Sequence, residues 1–181
     1  MARPAYVHLG GNGVPHTAWL RCPACGRGAV REGDTVSPSP KPLSDVRGLA
    51  DNEKAIWAEV RDCLSVGAST ATVMLCRKLL YNLAVAKGMD ETDAKGRAHN
   101  FYESVEHLKS AGYVTPPMQA WVGRIKDVGN EANHKVVRVD AQEAMKVAVF
   151  TEQLLILAFQ MDKLMEEVED DATPGASATE H

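Results

Sequence analysis

From about residue 51 onward, apolar side chains recur every three or four positions, and that recurrence predicts a succession of helices. Ile56, Val60, Cys63 and Leu64 share one face of a first helix near Asn52–Val66, with Gly67 as its stop. A second reads from a Ser69 cap to Lys87, before Gly88. Val73, Met74, Leu75, Cys76, Leu79, Leu80, Leu83 and Ala84 cover most of its circumference, which places it at the centre of the protein. A polar loop, Met89–His99, leads to a third helix through Phe101, Val105 and Leu108, ended by Gly112. Thr115 and Pro116 suit the N-cap and first position of a fourth, whose apolar face is Met118, Trp121, Val122, Ile125 and Val128. Asp140 opens a fifth, which carries Ala144, Met145, Ala148, Val149, Leu155, Ile156, Phe159 and Met161 and extends to Val168. Short connections, with the second and fifth helices apolar nearly all round, predict a mainly α protein: an antiparallel bundle of about five helices over residues 49–168.

The pattern differs on either side of this stretch. Residues 1–31 alternate turn residues with short apolar pieces, Ala5-Tyr6-Val7 and Ala18-Trp19-Leu20, which suit strands beside tight turns in a small appendage. Residues 32–48 contain Ser37-Pro38-Ser39-Pro40-Lys41-Pro42, a stiff, extended linker. Residues 169–181 begin acidic and become rich in Ala, Thr, Gly and Ser, the composition of a disordered tail.

Charge sharpens the contrast between these zones. The chain carries a net −4, which argues against indiscriminate nucleic-acid binding by the whole molecule. Residues 1–31 nevertheless hold Arg3, Arg21, Arg27 and Arg31 and no acid, so any nucleic-acid contact is expected here. The longest apolar run, Leu154–Phe159, is far too short to span a bilayer, and the N-terminus has no apolar h-region. Four cysteines, two of them on predicted helices, read as reduced thiols of a cytoplasmic protein with no membrane partner.

Candidate chemistry lies in two places. Cys22-Pro23-Ala24-Cys25-Gly26 is a knuckle turn on which two thiolates can share a metal. His8 and His16 are the nearby residues that could complete a Cys2His2 set around one structural zinc. The competing reading is a vestigial knuckle, its cysteines merely small residues in a hairpin. The second place is Ile125-Lys126-Asp127-Val128-Gly129-Asn130-Glu131-Ala132-Asn133-His134, where a helix runs into poor helix formers before a histidine. Arg124, Lys126, Lys135 and Arg138 surround His134, and a histidine beside cations can serve as general acid or base on a phosphodiester without a metal. The plainer alternative is that Asn130 and His134, one helical turn apart, tie the fourth helix to the following loop by hydrogen bonds. Arg77 and Lys78, with Asn82 one turn on, form the polar stripe of the second helix, read as a solvated face before an anion site.

The order of these features resembles a known family. A CPxCG knuckle and a Pro-rich joint precede a helix reading Ala71-Thr72-Val73-Met74-Leu75-Cys76-Arg77-Lys78-Leu79-Leu80, then the Ile125–His134 segment, then a long apolar helix after an Asp-Ala start. Over roughly residues 45–165 this is similar to a bacterial and phage domain-of-unknown-function family, found alone or attached to restriction-enzyme subunits and itself similar to HEPN helical bundles. The resemblance implies a dimeric helical bundle in a defence or regulatory setting, with RNA, DNA or a defence or restriction protein as partner. Many HEPN proteins are metal-independent ribonucleases whose motif is an arginine, often a polar residue after it, and a histidine four to six residues beyond the arginine. Asn130 matches the polar residue and His134 the histidine, but the arginine falls on Gly129. The family more often has an arginine where this chain has Lys126, which lies upstream of the usual spacing. The expectation is therefore a non-catalytic interaction module, the alternative being a ribonuclease using His134 with Lys126, Arg124 or a cation from a second chain. Trp121 and Val122 beside Gly123, with Gly129, are the expected surface for symmetric pairing.

Overall fold

The computed structural model describes residues 3–9, 15–23, 26–123, 125 and 138–172. Within them the chain is mainly helical and carries a small antiparallel sheet near its N-terminus. The sheet consists of β1 (Arg3–Leu9), β2 (Pro15–Arg21), β3 (Gly28–Glu32) and β4 (Thr35–Ser37), paired in chain order. Two of these strands contain the pieces expected at 5–7 and 18–20. The other two have little hydrophobic signal, because β3 offers Val30 between Ala29 and Arg31 and β4 offers Val36 alone. A two-residue turn, Gly33-Asp34, joins them with Gly33 at φ +56, a conformation in which a side chain is strained.

The helices are α1 (Asp51–Ser65), α2 (Ser69–Ala86), α3 (Phe101–Ser110), α4 (Ala141–Leu155) and α5 (Met161–Ala172). A single 3-10 turn, Pro116–Met118, leads into helical backbone at 119–123. Packing follows the apolar periodicity. α2 lies against α1, α3 and α4, and its Val73, Cys76, Leu79, Leu80 and Leu83 are completely buried. Trp57 and Val60 of α1, Leu108 of α3, Ile125, and Val147, Leu154 and Leu155 of α4 complete the centre of the core. Each fully buried side chain of this size contributes about 1.5–3 kcal/mol relative to exposure.

The expected caps have mixed outcomes. Asp140 does cap α4, its carboxylate accepting from the backbone N–H of Gln142 (2.7 Å) and Glu143 (3.4 Å). Ser69 does not cap α2: it is the first helical residue, behind an Ala68 that offers no side-chain acceptor. Thr115 likewise makes no cap bond. α3 opens on a reciprocal box that the periodicity did not reveal, Asn100 accepting from Glu103 N–H at 3.1 Å while Glu103 accepts from Asn100 N–H at 2.7 Å.

Residues read as a linker are bonded to the helices along much of their length. Ser39 N–H donates to Ser65 O (2.8 Å) and Ser44 N–H to the buried Glu152 carboxylate (2.6 Å). The Trp57 indole donates to Ser44 O (2.8 Å), Arg61 Nε to Pro42 O (3.0 Å), and Arg47 N–H to Gln160 Oε1 (3.3 Å). Asp62 of α1 takes Lys41 at 2.5 Å and Arg27 at 3.5 Å, which joins strap and sheet to the helical part. The hydrogen bond from Lys41 holds the Asp62 carboxyl below the usual carboxylate range.

Between α4 and α5 the backbone widens into a π-helical turn, Ile156–Gln160, in which Met161 N–H donates to Ile156 O five residues back. The helical stretch Ala141–Met165 has the length and mean hydropathy (1.3) to cross a membrane, which Leu154–Phe159 alone did not convey, and 50% of its most apolar window is buried within the protein. Helical backbone continues to Ala172, past the residue at which the tail was expected to begin. Residues 173–181 lie outside the described residues.

Candidate functional site

The face of α2 that bears Arg77 is built from its N-terminus upward. Thr70, in the first turn, accepts the Val139 N–H on its hydroxyl at 3.4 Å. Val139 is buried in the core and its neighbour Arg138 is exposed. Arg77 stands seven residues beyond Thr70, two helical turns, so both lie on one side of α2 about 10 Å apart along its axis. Arg77 and the backbone of Arg138 thus serve the same side of the molecule. Ile125 is buried as well. His134, Asn130, Lys126, Lys135 and Arg124 lie outside the described residues.

Arg77 is not the solvated residue that the stripe suggested. It is half-buried, with its guanidinium 4.6 Å from the centroid of the Phe101 ring. Burial lowers its pKa from the ordinary arginine value, and the group stays charged at neutral pH. Lys78 does face solvent. The Phe101 partner is absent from the helical periodicity because it comes from α3, twenty-four residues on.

Trp121 and Val122 part company. The Trp121 ring stacks on Phe150 of α4 (centroids 6.4 Å, planes 9° apart) and stays 41% exposed. Val122 is buried, so its side chain belongs to the protein's own core and not to a surface for a second copy. Gly123 faces open space, beside a shallow cavity of about 210 Å³ that Phe101, Tyr102, Val105 and Val114 also line. Gly129 lies outside the described residues.

Of the four proposed zinc ligands, Cys22 and His16 lie at opposite ends of β2. Cys22 follows β2 directly, its N–H donating to Arg27 O (2.8 Å) and its carbonyl accepting from Gly26 N–H (2.9 Å), with Gly26 at φ +70. His16 sits at the opposite end of β2, and His8 pairs there with Thr17 across the hairpin. Six residues of extended chain separate His16 from Cys22, about 20 Å, whereas ligands of one zinc each lie within about 2.3 Å of the metal. His8 and His16 therefore do not fit the zinc set with Cys22; Cys25 lies outside the described residues. Among the described residues no three His, Cys, Asp or Glu side chains gather in a metal-binding group.

A feature not singled out from the sequence is the outer face of α5. Met161, Leu164, Met165 and Val168 recur at helical spacing and are all exposed, Met165 by 59% and Val168 by 63%. α5 continues the helical backbone directly from the π turn, and the rest of its sequence is acidic but for Lys163 and Ala172. The periodicity of Met161, Leu164, Met165 and Val168 was available as a signal, but it reads equally well as core.

The model of a family described as a domain of unknown function, DUF4145, matches residues 58–171. No curated protein and no solved structure matches the chain.

Proposed function

The chain belongs to the DUF4145 family, and from that premise we propose that it is a non-catalytic, HEPN-like interaction module. It is an antiparallel helical bundle, cytoplasmic, that pairs with a second copy and docks a protein partner in a bacterial or phage defence or regulatory system. The observation that carries this reading is α5. An apolar stripe of four exposed side chains on one helix is costly in water unless something covers it, and its acidic surroundings disfavour nucleic acid. The partner that fits is a protein with an apolar groove rimmed by Lys and Arg, receiving α5 as a helix in a groove. Self-pairing is supported by the half-exposed Trp121 ring and the open space at Gly123. The apolarity of α4 is used within the fold, where half of the relevant window is buried.

The test is cross-linking in the native host from a benzophenone carried on Val168→Cys, with a second label on Thr92→Cys as a site away from α5. The reading expects a discrete heteromeric product from position 168 alone, lost when Leu164→Glu is added. Products from both positions alike, or none from 168, would sink it.

The ribonuclease reading keeps one observation in its favour. Arg77 lies on the side of α2 that also meets the backbone beside Arg138, four residues after His134 in the sequence. Against it stands Gly129, at the motif's arginine position, which has no side chain to stabilise charge developing on a phosphate.

A further inference from the structure

The strap that precedes α1 crosses the π turn, and an open groove of about 760 Å³ lies at the crossing. Its closeness depends on Gly48, at φ +83, where a Cβ would lie 2.7 Å from the Phe159 carbonyl oxygen. The walls mix apolar and charged groups: Val46, Leu49, Ala158 and Phe159 beside Arg47, Lys54, Lys87 and Lys163. Those four cations come from four elements, the strap, α1, the end of α2 and α5, so only the fold brings them together.

The acids in the groove do not neutralise them. Asp45 is paired outward with Arg61. Asp162 is taken by Lys87 at 2.8 Å, and the Lys87 ammonium also lies 5.0 Å from the Phe159 ring centroid. Arg47, Lys54 and Lys163 form no salt bridge among the described residues, and Glu167 is the single unpaired acid lining the same space. In a chain of net charge −4 this is a local excess of positive charge in a concave, partly apolar site. A π-helical turn forms one wall, and such turns recur at functional sites. The volume lies within the range of small-molecule sites, about 300–1,000 Å³.

We propose that this groove binds a small polyphosphate-bearing molecule, its phosphates held by Arg47, Lys54 and Lys163 and its organic part laid against Leu49 and Phe159. Phosphate, not carboxylate, is the matching chemistry, because three separate cations can each meet an oxygen of a multiply charged group. Arg47 and Lys54 precede the stretch matched by the family model, so the site belongs to the combination of strap and helical domain in this chain.

Isothermal titration of the full chain with pyrophosphate and with ADP tests the assignment. At least one of the two is expected to bind, and Arg47→Ala combined with Lys163→Ala should weaken that binding by about tenfold or more. Lys109→Ala, on α3 and away from the groove, should leave it unchanged. Arg47 and Lys163 are exposed, so the double variant should keep the native circular dichroism; Lys54→Gln is the second variant should it not, with the same loss expected. No binding of either probe at millimolar concentration, or binding that survives the groove substitutions, would overturn the proposal.

Discussion

Cys76 illustrates how a single buried group ties stability to pH. It sits in the middle of α2 without exposure, and burial pushes its thiol pKa up to about 12 from an ordinary value of 9.0. Below pH 9 the thiol is protonated in both folded and unfolded chains and contributes no pH dependence. Between about 9 and about 12 the unfolded chain releases a proton that the folded one keeps, so stability falls as pH rises through that window. Urea unfolding at pH 8 and pH 10.5 should show a steeper loss in the native chain than in Cys76→Ala; equal losses would contradict the assignment. Two other residues carry predictions of their own. Asp140→Ala removes an acceptor for two N–H groups at the start of α4 and should cost about 1 kcal/mol in denaturant unfolding. Gly48→Ala combines a positive φ with a clash on Phe159 and should cost about 1–3 kcal/mol, whereas a neutral result would mean the strap shifts freely.

At the scale of elements, what the sequence revealed depended on whether a segment is held by its own periodicity or by distant bonds. α2 was legible because Val73, Cys76, Leu79, Leu80 and Leu83 follow a helical repeat that maps directly onto burial. α4 was legible for the same reason, with Asp140 marking its start. The strap was not, since it is anchored by single bonds to Glu152 and Gln160, more than a hundred residues away, and no local pattern encodes those partners. The Arg77–Phe101 contact was hidden in the same way. His8 and His16 looked close to Cys22 in the sequence, but an extended β2 puts His16 and Cys22 at opposite ends of the strand. α5 poses the sharpest test at this scale. Leu164→Glu with Met165→Glu alters two exposed side chains, so the melting temperature should move little, within the roughly 0.5 kcal/mol typical of surface changes. A large drop in melting temperature would show that the stripe is packed within the protein and not held out for a partner.

On the scale of the whole molecule, charge and apolar surface are distributed unevenly. Positive charge gathers in residues 1–31 and in the strap groove, whereas α5, which lends Lys163 to that groove, is otherwise acidic and carries an exposed apolar stripe. That division suits a module that joins partners better than it suits an active site, and Gly129 removes the arginine that cleavage of the HEPN kind would use. The choice between interaction and catalysis is open to one direct measurement: incubation of labelled RNA with the purified chain in EDTA, beside His134→Ala. The account predicts no cleavage above the protein-free control for either protein. EDTA-resistant cleavage by the native chain that disappears in His134→Ala, with an unchanged melting temperature, would contradict it.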